Sequence, residues 1–382
     1  MQVRDSDTMK ASMITKEVGP NRYSKLDPAA DIVIVGAGLI GLTIALELHD
    51  RGAVVTVVER GQSLAGASTA AAGMLAADDP HNAPELRPLS QLSLQHYPNF
   101  LRRIEELSGI SVPFQTESTL QYLPDGTTMC LRERSIDPRQ LAAGLLAAVK
   151  MTSIRVLDHT RIAAIHETKH GMRIQTMGGA EITAKAIVYA TGAWTNEVMT
   201  TLSGDAVPIA PRKGQMLRVR LPGALSLREV HRSERIYIVP RTCGPQAGTA
   251  LIGATVEDAG FDTTVRAKDL ARLRALAAEL LPELAAEAET PMVEAWAGLR
   301  PATPDFLPIL GACSRMGHFV ASGHYRNGIL HAPATAIVIA DLVEGKEPAI
   351  NISAFSIDRL SAAQRAAGGS TAHAGRYSSV MQ

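Results

Sequence analysis

Three glycines and one glutamate are spaced so that together they could bind a dinucleotide. Gly36, Gly38 and Gly41 form the pattern G-x-G-x-x-G, and Glu59 follows 18 residues after Gly41. In this pattern the first glycine permits a tight turn, the second lets backbone N–H groups approach a pyrophosphate, and the third lets a helix pack closely on a strand. The Glu59 carboxylate can accept hydrogen bonds from both ribose hydroxyls of an adenosine and would repel a 2′-phosphate. These residues predict FAD or NAD rather than NADP.

The elements that must hold these residues can be predicted from the apolar pattern around them. Ile32–Val35 is a continuous β-branched run, typical of a strand buried on both faces of a parallel sheet. Apolar residues then recur at helical spacing over residues 39–49, and residues 54–58 form a second strand after Gly52. A plain structural turn could also contain these glycines. The strand, helix, second strand and terminal acid together favour a βαβ dinucleotide-binding unit.

A run of small residues after Glu59 favours FAD over NAD. Residues 60–75 read RGQSLAGASTAAAGML, with almost no bulky side chain before Met74. Such a segment can lie along an extended ligand with its backbone amides exposed to phosphate oxygens, although an alanine-rich helix or linker is an alternative. Residues 181–192 form a further strand that ends in Ala-Thr-Gly at Gly192, an arrangement that resembles flavoproteins. No second G-x-G-x-x-G follows, so NADH is not the predicted electron donor.

Length and charge limit the classes of protein that fit. At 382 residues the chain exceeds the roughly 250–300 residues at which single cores stop growing, so we expect two domains. It has 38 basic and 38 acidic residues, and therefore no net field that attracts nucleic acid or an anionic membrane. The sequence predicts a small-molecule or protein partner rather than a nucleic acid.

The cysteines and the apolar segments indicate the compartment. Cys130, Cys243 and Cys313 form no C-x-x-C pair, which argues against a zinc site or a disulfide framework and suits a reducing compartment. Residues 1–30 lack the apolar core of a secretory signal. The longest uncharged apolar stretch, residues 32–46, has 15 residues, whereas a membrane span needs about 20. We therefore expect a soluble, cytoplasmic protein that is not associated with a membrane.

The most specific sequence lies in the C-terminal third, in residues 296–311 and 319–335. Together with GAGLIG, GASTAAAGM, ATGAWT, YIVPR and LIGAT, the segments WAGLRP and GHYRNGIL follow in order between Asp31 and Glu347. With this set the chain resembles the glycine oxidases of the D-amino-acid oxidase superfamily. Two positions depart from such sequences: Phe306 stands where they often have Gly, and His331 stands where they have Leu. The exact substrate among small amino acids therefore stays open.

The resemblance implies an α/β fold with a Rossmann-like FAD-binding domain and a second, mostly antiparallel-sheet substrate domain. We expect residues 28–80, 140–205 and 297–360 to form the FAD-binding domain and residues 81–139 and 206–296 the substrate domain. Residues 215–220 alternate as a half-buried strand does, and residues 268–288 are typical of one solvated helix with an apolar face. Residues 1–30 are interpreted as a mobile extension and residues 361–382 as a polar tail.

Three residues are candidates for substrate binding and catalysis. A carboxylate is best held by a guanidinium fork in a dry pocket, and Arg300 is the strongest candidate because Pro301 stiffens its loop. In glycine oxidases the matching arginine holds the substrate carboxylate; the alternative is an ion pair with Asp305. Tyr237 could donate its hydroxyl to the same carboxylate or be a core tyrosine. Arg326 falls where the family approaches flavin and substrate, and a capping or backbone role is an equal alternative.

The resemblance also implies which residues hold the cofactor. They are Gly36, Gly38, Leu39, Ile40, Gly41, Glu59, Arg60, Ala67, Ser68, Ala72, Gly73, Met74, Ile162, Gly192, His324, Tyr325, Arg326, Asn327, Gly328, Ile329 and Leu330. Because no cysteine stands near residues 323–328, we expect FAD to be bound non-covalently. The helix after Gly328 would direct its N-terminal dipole at the flavin. His324 and His331 are not accompanied by a Cys or His cluster, so no metal is predicted.

The implied reaction is the oxidation of glycine, sarcosine or small D-amino acids to an imine, with oxygen reduced to hydrogen peroxide. With glycine as the substrate, water then converts the imine into glyoxylate and ammonia. In bacteria that use this family for thiamine, the imine feeds thiazole formation. The resemblance further implies a homo-oligomer, a tetramer. Two alternatives stay open: a D-amino-acid dehydrogenase that passes electrons to a quinone or partner subunit, and a non-catalytic flavin-binding subunit.

Overall fold

The computed structural model describes residues 30–223 and 225–360. The expectations for residues 1–29 and for the tail at 361–382 lie outside the described residues. In chain order the strands are β1 Ile32–Val35, β2 Val55–Val58, β3 Phe114–Thr116, β4 Thr119–Tyr122, β5 Thr128–Leu131, β6 Ser135–Ile136, β7 Arg155–Leu157, β8 Ile162–Thr168, β9 Gly171–Thr176, β10 Glu181–Ala184, β11 Ala186–Tyr189, β12 Ala210–Arg220, β13 Val230–Arg232, β14 Tyr237–Arg241, β15 Thr249–Gly253, β16 Met292–Ala302, β17 Ile309–Ala312 and β18 His318–Ser322.

Helices connect these strands. The α-helices are α1 Leu39–Asp50, α2 Ala67–Ala70, α3 Arg87–Ser108, α4 Pro138–Lys150, α5 Thr195–Leu202, α6 Ala267–Leu280 and α7 Gly328–Val343. Short 3₁₀ helices occur at Pro84–Leu86, Gly192–Trp194, Gly244–Gln246, Pro282–Leu284, Ser353–Phe355 and Ile357–Arg359.

The first strand lies inside a six-stranded sheet, as its β-branched sequence predicts. The order is β17-β18-β11-β1-β2-β7, and every pair is parallel except β17 with β18. Ile32 and Ile34 pack with α1, α3, α4 and α7 on one face, whereas Val33 and Val35 pack with the three-stranded sheet β10-β9-β8 on the other. The predicted βαβ unit, β1-α1-β2, is confirmed. Its first turn lies at the carboxyl end of a parallel strand, where open α/β sheets bind ligands.

The second large sheet is mostly antiparallel, as expected. Its order is β16-β12-β15-β14-β13-β4-β5, and only β13 with β4 is parallel. The prediction that residues 215–220 form a half-buried strand is wrong, because β12 is buried on both faces over most of its length. Leu217 and Val219 pack against α6, while Met216 packs against Ala72 on the opposite face.

The predicted helix over residues 268–288 is shorter than its pattern. Helix α6 ends at Leu280, because Pro282 lacks the N–H that would continue the helical hydrogen bonds. Its apolar face is confirmed: Leu273, Leu276 and Ala277 are buried against the antiparallel sheet.

The two large sheets divide the chain much as the expected domain boundaries do, with two differences. All six strands of the first sheet lie within 28–80, 140–205 and 297–360, but β16 of the second sheet crosses residue 297. Helix α3, within 81–139, packs in the core of the first sheet through Leu89, Tyr97 and Ile104. The division into two domains stays a prediction.

Candidate active site

A cavity of about 550 Å³ connects the βαβ turn of the first sheet with the face of the second. Gly36 and Glu59 line it at the turn, while Tyr237 and Arg300 line it from β14 and β16. Its volume falls within the roughly 300–1,000 Å³ of small-molecule sites. One cavity therefore contains both the predicted dinucleotide turn and the predicted substrate residues.

The glycines of the turn have the separate roles that their spacing predicts. Gly36 has φ +105°, and a Cβ there would lie 2.6 Å from the carbonyl oxygen of Ala190. A Cβ on Gly41 would overlap the carbonyl oxygen of Gly36, so this glycine allows α1 to pack on the turn. A Cβ on Gly38 would meet only the Ser68 hydroxyl, at 3.5 Å. Gly36 and Gly41 are therefore required by the fold, whereas Gly38 keeps the cavity side of the turn open.

Glu59 is held at the end of β2 by two backbone groups. Its Oε2 accepts a hydrogen bond from the N–H of Ala37 at 2.9 Å, and its Oε1 accepts one from the N–H of Gly61 at 2.8 Å. Next to it, the Arg60 guanidinium stacks over the Trp194 ring at 4.4 Å. Trp194 lines the cavity and was not among the predicted residues.

The residues on this wall fit FAD. The open side of Gly38 adjoins the first turn of α1, where a helix N-terminus favours an anionic pyrophosphate. From Gly66 to Met74 the small-residue segment forms the four-residue helix α2 and then extended chain, so the alternative of one alanine-rich helix is wrong. Its extended part lines the cavity beside the turn. A ligand much longer than a mononucleotide requires such an extended lining.

Arg300 lies on β16 with its guanidinium over Gly214 of β12. A Cβ at Gly214 would overlap both terminal nitrogens of Arg300, so only glycine leaves this room. Arg300 Nη1 donates to the carbonyl oxygens of Thr255 at 3.1 Å and Lys213 at 3.4 Å. Over residues 30–223 and 225–360, no carboxylate lies within ion-pair distance of Arg300. The alternative pairing with Asp305 is wrong, as the next contacts show.

Asp305 is bound elsewhere. Its carboxylate accepts hydrogen bonds from Arg359 Nε at 2.8 Å and Nη2 at 3.0 Å, and from the backbone N–H of Leu307 at 3.1 Å. Arg300 therefore presents a cavity-lining guanidinium whose charge no described acid neutralises.

Tyr237 lies on β14 beside Arg300. Burial raises the pKa of its hydroxyl, against the opposing effects of Arg300 and Arg326, so the hydroxyl stays protonated at neutral pH. It lies 3.6 Å from Met216 Sδ, a weak acceptor. A Cβ on Gly253 would lie 2.8 Å from the Tyr237 ring and hydroxyl, so this glycine makes space for the side chain. A protonated hydroxyl beside a guanidinium fork is suited to binding one carboxylate.

Arg326 follows β18 and is held by an acid that sequence reasoning missed. It forms an ion pair with Asp79, which also accepts hydrogen bonds from the backbone N–H of His81 at 2.9 Å and lies 3.0 Å from His81 Nδ1. Burial acts to raise the pKa of Asp79, but His81 and the charges of Arg326 and Arg232 hold it well below its usual range. No motif marks Asp79, because its arginine partners lie far away in sequence.

The two departures from the family pattern have identifiable surroundings. Phe306 adopts φ +61°, a conformation that favours glycine, and its ring lies 4.8 Å from that of Tyr325. His331 is buried in α7 with its Nε2 2.9 Å from the Ser90 hydroxyl. The nearby His324 Nε2 lies 2.9 Å from the Thr335 hydroxyl. Burial lowers the pKa of both histidines to about 3, so both rings are neutral.

Most of the residues predicted to hold the cofactor line the cavity, including Ile162, Gly192, Tyr325, Asn327 and Ile329. Two do not: Gly41 acts through helix packing, and Leu330 is buried in the core of the first sheet. Which of the lining residues contact FAD stays a prediction. Trp194 was missed although it lies within the ATGAWT motif. Several other lining residues were missed because nothing in the local sequence distinguishes them: Asp79, His81, Arg161, Glu197 and Arg232.

The described residues contain neither a metal-binding cluster nor a membrane-spanning helix. No group of three or more His, Cys, Asp or Glu side chains among them could hold a metal ion. No helix in this part of the chain is long and apolar enough to cross a membrane. None of the three cysteines lines the cavity.

Comparison with known proteins identifies the family. A family model described as DAO, FAD dependent oxidoreductase, matches residues 31–134 and 124–342. The chain belongs to the DAO family. It is therefore an FAD-dependent oxidoreductase, which confirms the predicted cofactor, enzyme class and fold class.

Individual relatives make the resemblance more specific. The bifunctional protein ThiO/ThiG of Trichormus variabilis is 35% identical over 86% of this chain, which spans 55% of that relative, about half its length. The glycine oxidase of Geobacillus kaustophilus is 32% identical over 86% of this chain and 97% of the relative. The crystal structure of glycine oxidase from Geobacillus kaustophilus has a TM-score of 0.81 at 30% identity, covering 87% of this chain and all of that one. The predicted resemblance to glycine oxidases is confirmed.

Proposed function

We propose that this DAO-family protein oxidises glycine, and with it sarcosine and small D-amino acids, to an imine, with oxygen reduced to hydrogen peroxide. Water converts the imine into a 2-oxo acid and an amine, which for glycine are glyoxylate and ammonia. One observation carries this proposal. A guanidinium without a carboxylate partner among the described residues, Arg300, lies beside the protonated hydroxyl of Tyr237 in the cavity that begins at the dinucleotide turn. This pair is suited to an amino acid's carboxylate.

The chain's own residues then position the substrate. Arg300 and Tyr237 bind the carboxylate, and the backbone carbonyls of Thr255 and Lys213 fix the guanidinium from behind. Pro301 stiffens the chain that follows Arg300, and Gly214 leaves the space in which the guanidinium lies against β12. Bound FAD would supply the acceptor for the hydride that leaves the carbon bearing the amine. Holding that carbon in one place is the main contribution of these residues.

The similarity to glycine oxidases supports the choice of substrate. Those relatives align over most of their own length with this chain, and the segments that carry Tyr237, Arg300 and Arg326 are part of the resemblance. The similarity to ThiO/ThiG proteins supports a role in which the imine feeds thiamine thiazole synthesis. A homotetramer in the cytoplasm is part of the same proposal, and light scattering of the purified protein tests the tetramer.

The decisive experiment is anaerobic reduction of the purified yellow protein. Glycine, sarcosine, D-alanine, D-proline and L-amino acids are added in turn. The loss of the absorbance of oxidised flavin at about 450 nm is followed. Rapid bleaching by glycine and sarcosine, followed by oxygen uptake on mixing with air, is the expected result. Bleaching without oxygen uptake would indicate a dehydrogenase. Absence of bleaching by every amino acid would indicate a non-catalytic flavin-binding subunit.

A further inference from the structure

The substrate end of the cavity has more cations than one carboxylate requires. Arg232, Arg300 and Arg326 all line it. Both Arg300 and Arg326 are close enough to Tyr237 to affect its hydroxyl. An amino acid with a second carboxylate would therefore find a second guanidinium within the same cavity, unless another group neutralises it.

Asp79 is that group. Its side chain is 1% exposed, lines the cavity, forms an ion pair with Arg326, and lies 3.5 Å from Arg232 Nη1. Arg232 Nη1 also lies 2.9 Å from Glu133, whereas Arg232 Nη2 is buried and has no hydrogen-bond partner among the described residues. Asp79 thus touches both arginines that are not assigned to the substrate.

Arg300 differs from these two arginines. It donates hydrogen bonds to two backbone carbonyl oxygens and lies beside the Tyr237 hydroxyl, and within the described residues no acid lies within 4.0 Å of it. A first carboxylate binds there without competition. A second carboxylate, reaching toward Arg326 or Arg232, would approach the ionised Asp79, and bringing two like charges together in a binding site weakens binding.

We propose that Asp79 is a specificity-determining residue that restricts the cavity to amino acids with a single carboxylate. It does so by occupying Arg326 and by placing a negative charge where a second carboxylate would lie. The inference deepens the proposed function, on which it rests, and it defines the substrate class as small monocarboxylic amines.

Two unreactive ether acids test this without turnover. Methoxyacetate has the shape of sarcosine, and diglycolate adds a second carboxylate at its methyl end. The ratio of their dissociation constants is measured on the FAD-loaded protein from changes in flavin absorbance. We expect the wild-type protein to prefer methoxyacetate, and Asp79→Asn to improve diglycolate binding relative to methoxyacetate by at least about tenfold. Turnover of sarcosine and iminodiacetate should follow the same change.

Matched variants test whether the charge of Asp79, rather than a general disturbance of the cavity, controls the ratio of the two dissociation constants. Asp79→Glu keeps the charge and should keep the preference. Glu133→Gln removes the neighbouring acid, which contacts Arg232 but does not line the cavity, and should change the ratio less than Asp79→Asn does. If Asp79→Asn does not retain FAD, Arg326→Gln serves instead: it removes one of the two arginines beside the Asp79 carboxylate, and the preference for methoxyacetate should increase.

An unchanged ratio in Asp79→Asn, or a wild-type protein that binds both acids equally, would overturn the role of Asp79 while glycine oxidation continues. A wild-type protein that neither binds methoxyacetate or diglycolate nor oxidises glycine would instead contradict the proposed function, and the role of Asp79 with it. Retained flavin absorbance and far-ultraviolet circular dichroism show that each variant is folded.

Discussion

At the scale of single residues, the proposed function depends on Arg300 and the space around its guanidinium. The side chain has a permanent charge, contacts with two backbone carbonyls, and a glycine beneath its guanidinium. Because β12 pairs with β16, the Arg300 guanidinium lies against Gly214, and a change at either position acts on the same atoms.

Arg300→Ala should reduce kcat/KM for glycine by roughly 30-fold to several thousand-fold, since losing one member of a buried charge pair costs about 2–5 kcal/mol. FAD should stay bound, and Arg300→Lys should recover only part of the loss, because a point charge cannot form two parallel hydrogen bonds. Arg212→Ala is the control: Arg212 pairs across from Arg300 in the strand register and does not line the cavity. Near-normal kcat/KM in Arg300→Ala, or loss of FAD, would remove the assignment.

Gly214→Ala should lower kcat/KM by displacing the Arg300 guanidinium, which its Cβ would overlap, while leaving FAD bound. Gly223→Ala is the matched control, since a Cβ there meets nothing within 4 Å. Steady-state kinetics on both variants check this. Equal activity of the two would show that Arg300 can shift without loss of function.

At the scale of elements, the β1-α1 turn contains two glycines that the fold requires and one that keeps the side facing the cavity open. Gly36 has a positive φ and lies against Ala190, and Gly41 lies against Gly36. Gly38, by contrast, has an open side toward the cavity. All three belong to one sequence motif whose spacing predicts different roles, and the packing shows which of them the fold requires.

Gly36→Ala should destabilise the protein with or without FAD by more than about 1 kcal/mol, because alanine is strained at positive φ and the added Cβ meets a backbone carbonyl. Gly38→Ala should leave the stability of the FAD-free protein nearly unchanged but weaken FAD binding. Urea unfolding of the apoprotein and flavin titration measure the two effects. Equal losses of stability in both variants would contradict this division.

At the scale of the whole molecule, buried neutral histidines make stability depend on pH. His324 lines the cavity ahead of α7, and its ring contacts Thr335. His331 lies within α7, and its ring contacts Ser90 of α3. Their pKa is lowered by burial to about 3, from an ordinary value of 6.5. The unfolded chain therefore binds more protons than the folded chain between these values.

The stability contributed by the two histidines is complete above about pH 6.5 and is lost progressively as the pH falls toward 3. Each histidine should lower the free energy of unfolding by about 1.4 kcal/mol per pH unit within this window. Urea unfolding at about pH 7.5 and about pH 5.5 measures the slope. The double variant Ser90→Ala, His331→Leu replaces both partners of this contact by apolar groups. The change in its free energy of unfolding per pH unit should be smaller by the contribution of one histidine. An equal slope in both proteins would show that other groups control acid unfolding.

The sequence alone was enough to predict the βαβ unit and the FAD cofactor and to select Arg300 and Tyr237 as candidates, because each depends on residue types within a short motif. Tertiary structure decided which partners these residues have. Asp79 meets Arg326 across 247 residues of chain, Ser90 meets His331 across 241, and Gly214 is a neighbour of Arg300 only because β12 pairs with β16. Likewise, residues 215–220 look half-buried in sequence, but the second buried face comes from the cavity wall. Local patterns record the backbone and the chemistry of each residue; charge neutralisation and packing depend on contacts that form only when distant segments meet.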